Sequence, residues 1–165
     1  MERERVLHEF APVFDRHSRV LILGTIPSPK SRENGFYYGH PQNRFWRVLS
    51  ALLGETLPET REARIALLLR HHIALWDVLR SCEICGASDS SIRNAVPNPL
   101  SALLCKTEIR AVFASGQKAA ALYRRFQQAE TGMEIHALPS TSPANCRISY
   151  PELLRAYSVL LPYLE

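Results

Sequence analysis

The sequence predicts an α/β fold: a three-layer α/β/α sandwich around a central, mainly parallel four-stranded sheet. Two features of the pattern lead there. Short apolar runs rich in branched residues alternate with longer stretches of helical periodicity. Each run is followed by turn-forming or small polar residues instead of a hairpin signal. Size agrees, because 165 residues, 46% hydrophobic and 22% charged, suit one ordinary domain over residues 1–165 that buries a sizeable core without staples.

Taken in chain order, residues 4–14 form a short amphipathic stretch, predicted as helix. Residues 19–23 are the first strand and run directly into Gly24. Two helices follow at 43–53 and 59–71, then a second strand at 73–76 that ends at Asp77. The stretch from Ser88 to Asn94 reads either as a polar loop or as a helix start with Asp89 or Ser90 near its cap. The third strand is placed at 109–114, a helix at 117–130 and the fourth strand at 134–138. The last helix covers 151–163, where Pro151 suits a first turn after Ser149 or Tyr150 as the cap.

Right-handed crossovers line up the carboxyl ends of parallel strands along one edge, and ligands sit in the crevice there. The segments after the strands should therefore carry function. They read Gly24-Thr25-Ile26-Pro27-Ser28-Pro29, Asp77-Val78-Leu79, Ser115-Gly116-Gln117 and Pro139-Ser140-Thr141-Ser142-Pro143-Ala144-Asn145. The first and fourth strands are expected side by side, with Asn43 and the hydroxyls around Ser142 on opposite lips of one cleft.

Composition narrows the function classes. A formal charge of +4 and a pI near 9.0 favour a polyanionic partner, and the excess of Arg over Lys suits phosphate contacts and stacking on bases. The chain has neither a signal-peptide pattern nor an apolar run long enough to span a membrane, so a cytoplasmic location without membrane contact is expected. Cys82 and Cys85 have the two-residue gap of metal and redox sites, but Cys105 and Cys146 are isolated. Four reduced thiols and a metal at the Cys82–Cys85 pair both stay open; no cofactor is expected, and none of the His spacings makes a metal site.

Residues Leu21-Ile22-Leu23-Gly24-Thr25-Ile26-Pro27-Ser28, followed by Gly35-Phe36-Tyr37-Tyr38-Gly39-His40-Pro41-Gln42-Asn43-Arg44-Phe45-Trp46, resemble the first active-site region of the mismatch-specific and hypoxanthine branches of the uracil-DNA glycosylase superfamily. Residues Pro139 to Asn145 are similar to its second region, which follows the last sheet strand and grips DNA from the minor-groove side. With Leu75-Trp76-Asp77-Val78-Leu79 between them, the resemblance spans nearly the whole chain and falls nearest the hypoxanthine branch. It implies a monomeric, metal-independent enzyme of base-excision repair that flips a deaminated base, hypoxanthine before uracil or xanthine, out of double- or single-stranded DNA. A non-catalytic nucleobase binder of the same fold is the alternative.

One position departs from the superfamily's pattern. Two residues after the leading Gly, mismatch-specific members carry a catalytic Asn and other branches an Asp, whereas this chain has Ile26. The resemblance to the hypoxanthine branch passes that task to Asn43, which could hydrogen-bond the base or orient the attacking water. Asn43 could equally cap a helix beginning at Arg44, and both roles can coexist.

Around Asn43, Phe36, Tyr37 or Tyr38 is expected to stack on the extruded base, core packing being the alternative for each ring. Gly24, Thr25, Ile26 and Pro27 should contact the base, in part through backbone N–H groups. His40 and Asp77 are further substrate-contact candidates, against purely structural roles in a loop and a turn. Ser28, Ser140, Thr141, Ser142, Pro143, Asn145 and Arg147 are expected to touch DNA. Lys30 stands just outside the first loop, so a Schiff-base lyase step is not expected.

Overall fold

The computed structural model describes residues 2–165. These form seven strands: β1 (Arg3–Leu7), β2 (Val20–Gly24), β3 (Ile73–Asp77), β4 (Leu79–Cys85), β5 (Arg93–Pro97), β6 (Ala111–Ser115) and β7 (Ile135–Leu138). Four of them make a parallel sheet in the order β3-β2-β6-β7. The other three make a small antiparallel sheet, β1-β4-β5.

Every residue of β2 is buried, as expected of a parallel strand covered on both faces. Its alternate residues supply two cores. Val20 and Ile22 pack with residues of α2 (Phe45–Leu52), α3 (Arg61–Arg70) and α7 (Tyr150–Tyr157). Leu21 and Leu23 face the other way, onto Ala119, Ala120 and Tyr123 of α5 (Gln117–Phe126) and onto Val6, Cys82 and Ile84 of the antiparallel sheet. Three short helices complete the set: α1 (Pro29–Asn34), α4 (Leu100–Leu104) and α6 (Gln128–Thr131).

The chain passes from β2 to β3 on one side and later to β6 on the other, so the direction of winding reverses beside β2. A crevice opens at such a reversal, outside the carboxyl ends of the two strands. Here those ends are Gly24 and Ser115.

Several expectations need correction. Residues 4–14 do not form a helix; β1 pairs antiparallel with β4 from Arg3↔Cys85 to Leu7↔Ser81, and Val13 bridges to Leu75. The first and fourth predicted strands, β2 and β7, are not neighbours, because β6 lies between them. The segment after Ser88 is a single 3₁₀ turn, Asp89–Ser91, leading into β5. The helix expected over 117–130 breaks at Gln127, where φ is −129° and the side chain turns inward to donate to the Val78 and Asn98 carbonyls at 3.1 and 2.9 Å. The last helix ends at Tyr157 and continues as 3₁₀ through Ser158–Leu164, with Pro162 inside it.

Cys82 is buried while Cys85 is only partly so, because an offset of three residues places them on opposite faces of β4. Among the described residues no cluster of three or more His, Cys, Asp or Glu side chains is spaced to hold a metal ion. No described helix is long and apolar enough to cross a membrane.

Helix α7 is fixed at its start by a complete capping box: Ser149 Oγ accepts from the Glu152 N–H, and Glu152 accepts from the Ser149 N–H. The helix carries Tyr157, whose hydroxyl donates to the Pro139 carbonyl at 2.7 Å and accepts from Ser115 Oγ at 2.9 Å. It thus ties the loop after β7 to the end of β6. Ser149→Ala is expected to lower unfolding stability by about 1 kcal/mol, measured as a lower urea midpoint with an unchanged slope.

Candidate base-binding site

Gly24, the last residue of β2, lies opposite Asp77, the last residue of β3. A side chain at position 24 has no room: a Cβ there would collide with Asp77 Oδ1 and stand 3.1 Å from the Tyr38 hydroxyl. Beyond Gly24 the chain passes Thr25, Ile26 and Pro27 to Ser28. Ser28 caps α1 by accepting from the Ser31 N–H at 3.1 Å. The helix stops at Gly35, in a left-handed conformation (φ +82°), and the aromatic run follows.

The three aromatics go to different places. Phe36 is buried in the core, stacked on Trp46 with centroids 6.0 Å apart and with the Arg61 guanidinium 5.8 Å from its ring centroid. It does not line the cavity, so the expectation that it touches the base is corrected: its ring completes the packing under α2. Tyr37 is also buried, with its hydroxyl donated to the Ala11 carbonyl at 2.9 Å, yet it borders the cavity. Tyr38 stacks on Phe45 at 3.9 Å between ring centroids. Its backbone is left-handed, φ +52°, which is costly for a bulky residue. The Tyr38 hydroxyl is buried and has no hydrogen-bond partner among the described residues.

Asn43 sits just before α2. Its Oδ1 accepts from the Phe45 N–H at 2.9 Å and from Thr141 Oγ1 at 2.8 Å. The Phe45 bond identifies that atom as the oxygen, since a backbone N–H can only donate. Both acceptor positions of the amide are therefore taken, and the Nδ2 donor is the part left over for a ligand. His40 is similarly oriented: its Nδ1 accepts from the Gln42 N–H at 3.0 Å, so a neutral ring carries its proton on Nε2.

The loop after β7 meets this segment directly. Thr141 is buried and bonds Asn43, and its carbonyl accepts from the Arg44 N–H at 3.1 Å. The Arg44 guanidinium then donates to the carbonyls of Ile148 at 2.7 Å and Asn145 at 3.1 Å. Within the loop, Ser140 Oγ accepts from the Ser142 N–H and Ser142 Oγ from the Ala144 N–H, while Asn145 Nδ2 donates to the Ser140 carbonyl at 3.0 Å. Asn43 and the hydroxyls around Ser142 do border one hollow, and one of those hydroxyls, on Thr141, is bonded directly to Asn43.

That hollow measures about 290 Å³, at the small end of the ~300–1,000 Å³ range of small-ligand clefts. Of the residues expected at the base or at DNA, Gly24, Thr25, Ile26, Pro27, Ser28, Tyr37, Tyr38, His40, Asn43, Asp77, Ser140, Thr141, Ser142 and Pro143 line it. Asn145 and the exposed Arg147 lie outside it, as does Lys30, which pairs with Glu33 on α1 at 3.4 Å. Sequence reasoning missed the wall from the antiparallel sheet, formed by Ile84, Gly86, Ala87 and Asp89, and missed Ser115 at the end of β6. Ser115 was legible as a residue following a strand. The far wall was not, because it depends on β1 and β5 pairing with β4.

No Lys or Arg lines the hollow, although Asp77 and Asp89 do, so a flat neutral ring suits it better than a phosphate. Fold and site together define an α/β protein with a hollow at the carboxyl edge of a parallel sheet, walled by both loops after its strands and by the antiparallel sheet. Comparison with known proteins narrows this. The model of the "Uracil DNA glycosylase superfamily" matches residues 11–159, and the chain belongs to that superfamily. It is 36% identical over 140 residues to a hypoxanthine DNA glycosylase of Methanosarcina barkeri, covering 84% of this chain and 87% of the relative. A hypoxanthine DNA glycosylase of Methanosarcina acetivorans is 35% identical over 144 residues, covering 85% and 89%. Among solved structures, a solution NMR structure of a protein from Methanosarcina acetivorans, provisionally named a uracil DNA glycosylase, superposes with a TM-score of 0.78 at 32% identity. That match covers 93% of this chain and 98% of the other. The chain is accordingly a DNA glycosylase, and DNA is its substrate.

Proposed function

We propose that this protein removes hypoxanthine from DNA by hydrolysing the N-glycosidic bond, leaves an abasic site and carries out no lyase step. The observation that carries the reading is the Asn43 amide, held by its oxygen at both acceptor positions with its donor end left for a ligand on the cavity wall. The hypoxanthine names of the two relatives agree with it.

Hydrolysis of this bond builds positive charge on the sugar and negative charge on the departing base. Fixed N–H donors aimed at the base stabilise that charge without having to reorganise. Asn43 Nδ2 and His40 Nε2–H are such donors, and neither requires a strong nucleophile beside it. Ile26 offers the base only an apolar surface, which weakens any reaction that depends on a polar side chain at that point. Ser28, Ser140, Ser142, Pro143, Asn145 and Arg147 are assigned to the DNA strand flanking the extruded nucleotide. Extrusion costs a few kcal/mol, less at a mispair and least in single strands, so both strand types serve as substrate. The protein works as a monomer in the cytoplasm, a reducing compartment that suits its four free thiols.

The test uses duplex and single-stranded oligonucleotides bearing one hypoxanthine, uracil, xanthine or mismatched thymine, with alkali added afterwards to break abasic positions. Hypoxanthine substrates are expected to break fastest. Faster breakage at uracil would reassign the substrate, and breakage at none would make the protein a nucleobase binder.

A further inference from the structure

With no Lys or Arg on the wall of the hollow, the phosphates on either side of a nucleotide placed there must find their cations outside it. Several cations in the bordering segments are already committed. The Arg44 guanidinium donates to the Ile148 and Asn145 carbonyls, Lys30 pairs with Glu33, and Arg32 pairs with Glu4 at 3.1 Å. The outer face of the antiparallel sheet differs. Its inner face carries Val6, Cys82 and Ile84 into the core. Successive side chains alternate between faces and directly paired residues share one, so Arg5↔Glu83↔Arg93 form an outer row across all three strands, with Arg3↔Cys85 as the next row. All three arginines are exposed. On the other side of the Arg5 row stand Leu7, Ser81 and Val96, without charge. The cations thus gather at the end of the sheet from which Gly86, Ala87 and Asp89 continue into the wall of the hollow. Arg3 also donates to the Ser91 carbonyl, which ties that turn to the sheet.

We propose that Arg5 and Arg93, with Arg3 beside them, form a phosphate-binding face that takes the DNA backbone on one flank of the extruded nucleotide, at the lip of the hollow formed by the antiparallel sheet. The proposal rests on the hollow being the base pocket. A row built only for cross-strand charge pairing would close Glu83 onto one of its flanking arginines. Glu83 instead accepts from the Asn94 amide, beside the point where the β4–β5 register shifts. Among the described residues neither Arg5 nor Arg93 forms an ion pair, so both guanidinium groups keep their charge for a partner. Arg3 and Arg5 stand roughly 7 Å apart along β1, and Arg5 and Arg93 about 10 Å apart across two strand spacings. Such a cationic strip, on long side chains, suits a backbone carrying a charge at every nucleotide. Its contacts read no sequence; they fix the register of the DNA on the protein and contribute the salt-dependent part of the affinity.

The experiment measures binding of the full chain to undamaged duplex DNA by fluorescence anisotropy over a series of salt concentrations. Arg5→Gln and Arg93→Gln are each expected to weaken binding and to lower the steepness of log affinity against log salt by about 1, and the double variant by about 2. Arg5→Lys should keep the steepness, because the contact needs only the charge. Arg124→Gln, on the exposed side of the last turn of α5, removes the same net charge elsewhere and should leave the steepness unchanged. On hypoxanthine-bearing duplex the double variant should keep the single-turnover rate at saturating protein but need more protein for half-saturation. That extra requirement should vanish when the duplex is cut short on one side of the hypoxanthine and persist when it is cut short on the other. An unchanged steepness in the double variant, an equal loss in Arg124→Gln, or an extra requirement that survives both truncations would overturn the proposal. The expected salt dependence without any excision of hypoxanthine would instead be a failure of the base-pocket reading, which is a distinguishable result.

Discussion

Asn43→Ala is expected to lower the single-turnover rate on hypoxanthine by about 10²- to 10³-fold, the usual cost of losing one preorganised donor to a developing negative charge. Asn43 also accepts from the Phe45 N–H at the start of α2 and anchors Thr141, so the alanine variant alone mixes two effects. Asn43→Asp separates them. An aspartate keeps an oxygen for the Phe45 N–H and the Thr141 hydroxyl but replaces the Nδ2 donor with a second acceptor. Its melting midpoint should stay close to that of the parent while its rate falls as far as in the alanine variant. An aspartate variant that keeps its rate would show that the side chain acts as an acceptor for water and not as a donor to the base.

Gly24→Ala should be as damaging, for a steric reason. The added methyl would run into Asp77 Oδ1 and the Tyr38 hydroxyl, and Asp77 cannot swing aside without breaking its bond to His8. Overpacking a rigid site of this kind costs about 1–3 kcal/mol, and the displaced carboxylate would intrude on the hollow that both residues line. Loss of excision by on the order of 10²-fold, together with a lower urea midpoint, is the expected result. Adding Asp77→Ala to Gly24→Ala should recover much of the stability and none of the rate. Simple additivity in stability would show that the two side chains do not compete for the same space.

The parallel sheet was legible in the sequence because its strands are buried on both faces, and Val20 to Leu23 is an uninterrupted apolar run. The site segments after β2 and β7 followed from that sheet and from their own Gly, Pro, Ser and Asn content. The antiparallel sheet was not legible. β1 is Arg-Glu-Arg-Val-Leu with only Val6 buried, and it is a strand because β4, about eighty residues on, supplies its hydrogen bonds. No local pattern reports such a pairing, and a charged amphipathic stretch resembles a helix by default. The same blindness hid His8, a histidine near the start of the chain that reaches Asp77 only through that sheet. For Asn43 the sequence left capping and chemistry both open; the helix starts one residue later than expected, with Arg44 at the cap position, and the Asn43 oxygen takes the Phe45 N–H and the Thr141 hydroxyl.

The left-handed backbone at Tyr38 has a consequence for the evolution of this loop. Holding a bulky residue there costs of order 1–3 kcal/mol, which the stack on Phe45 and the packing around it must offset. Glycine at this position would relieve the tension and stabilise the fold, but would remove the phenol. Durability and the aromatic wall of the hollow thus pull in opposite directions at one residue.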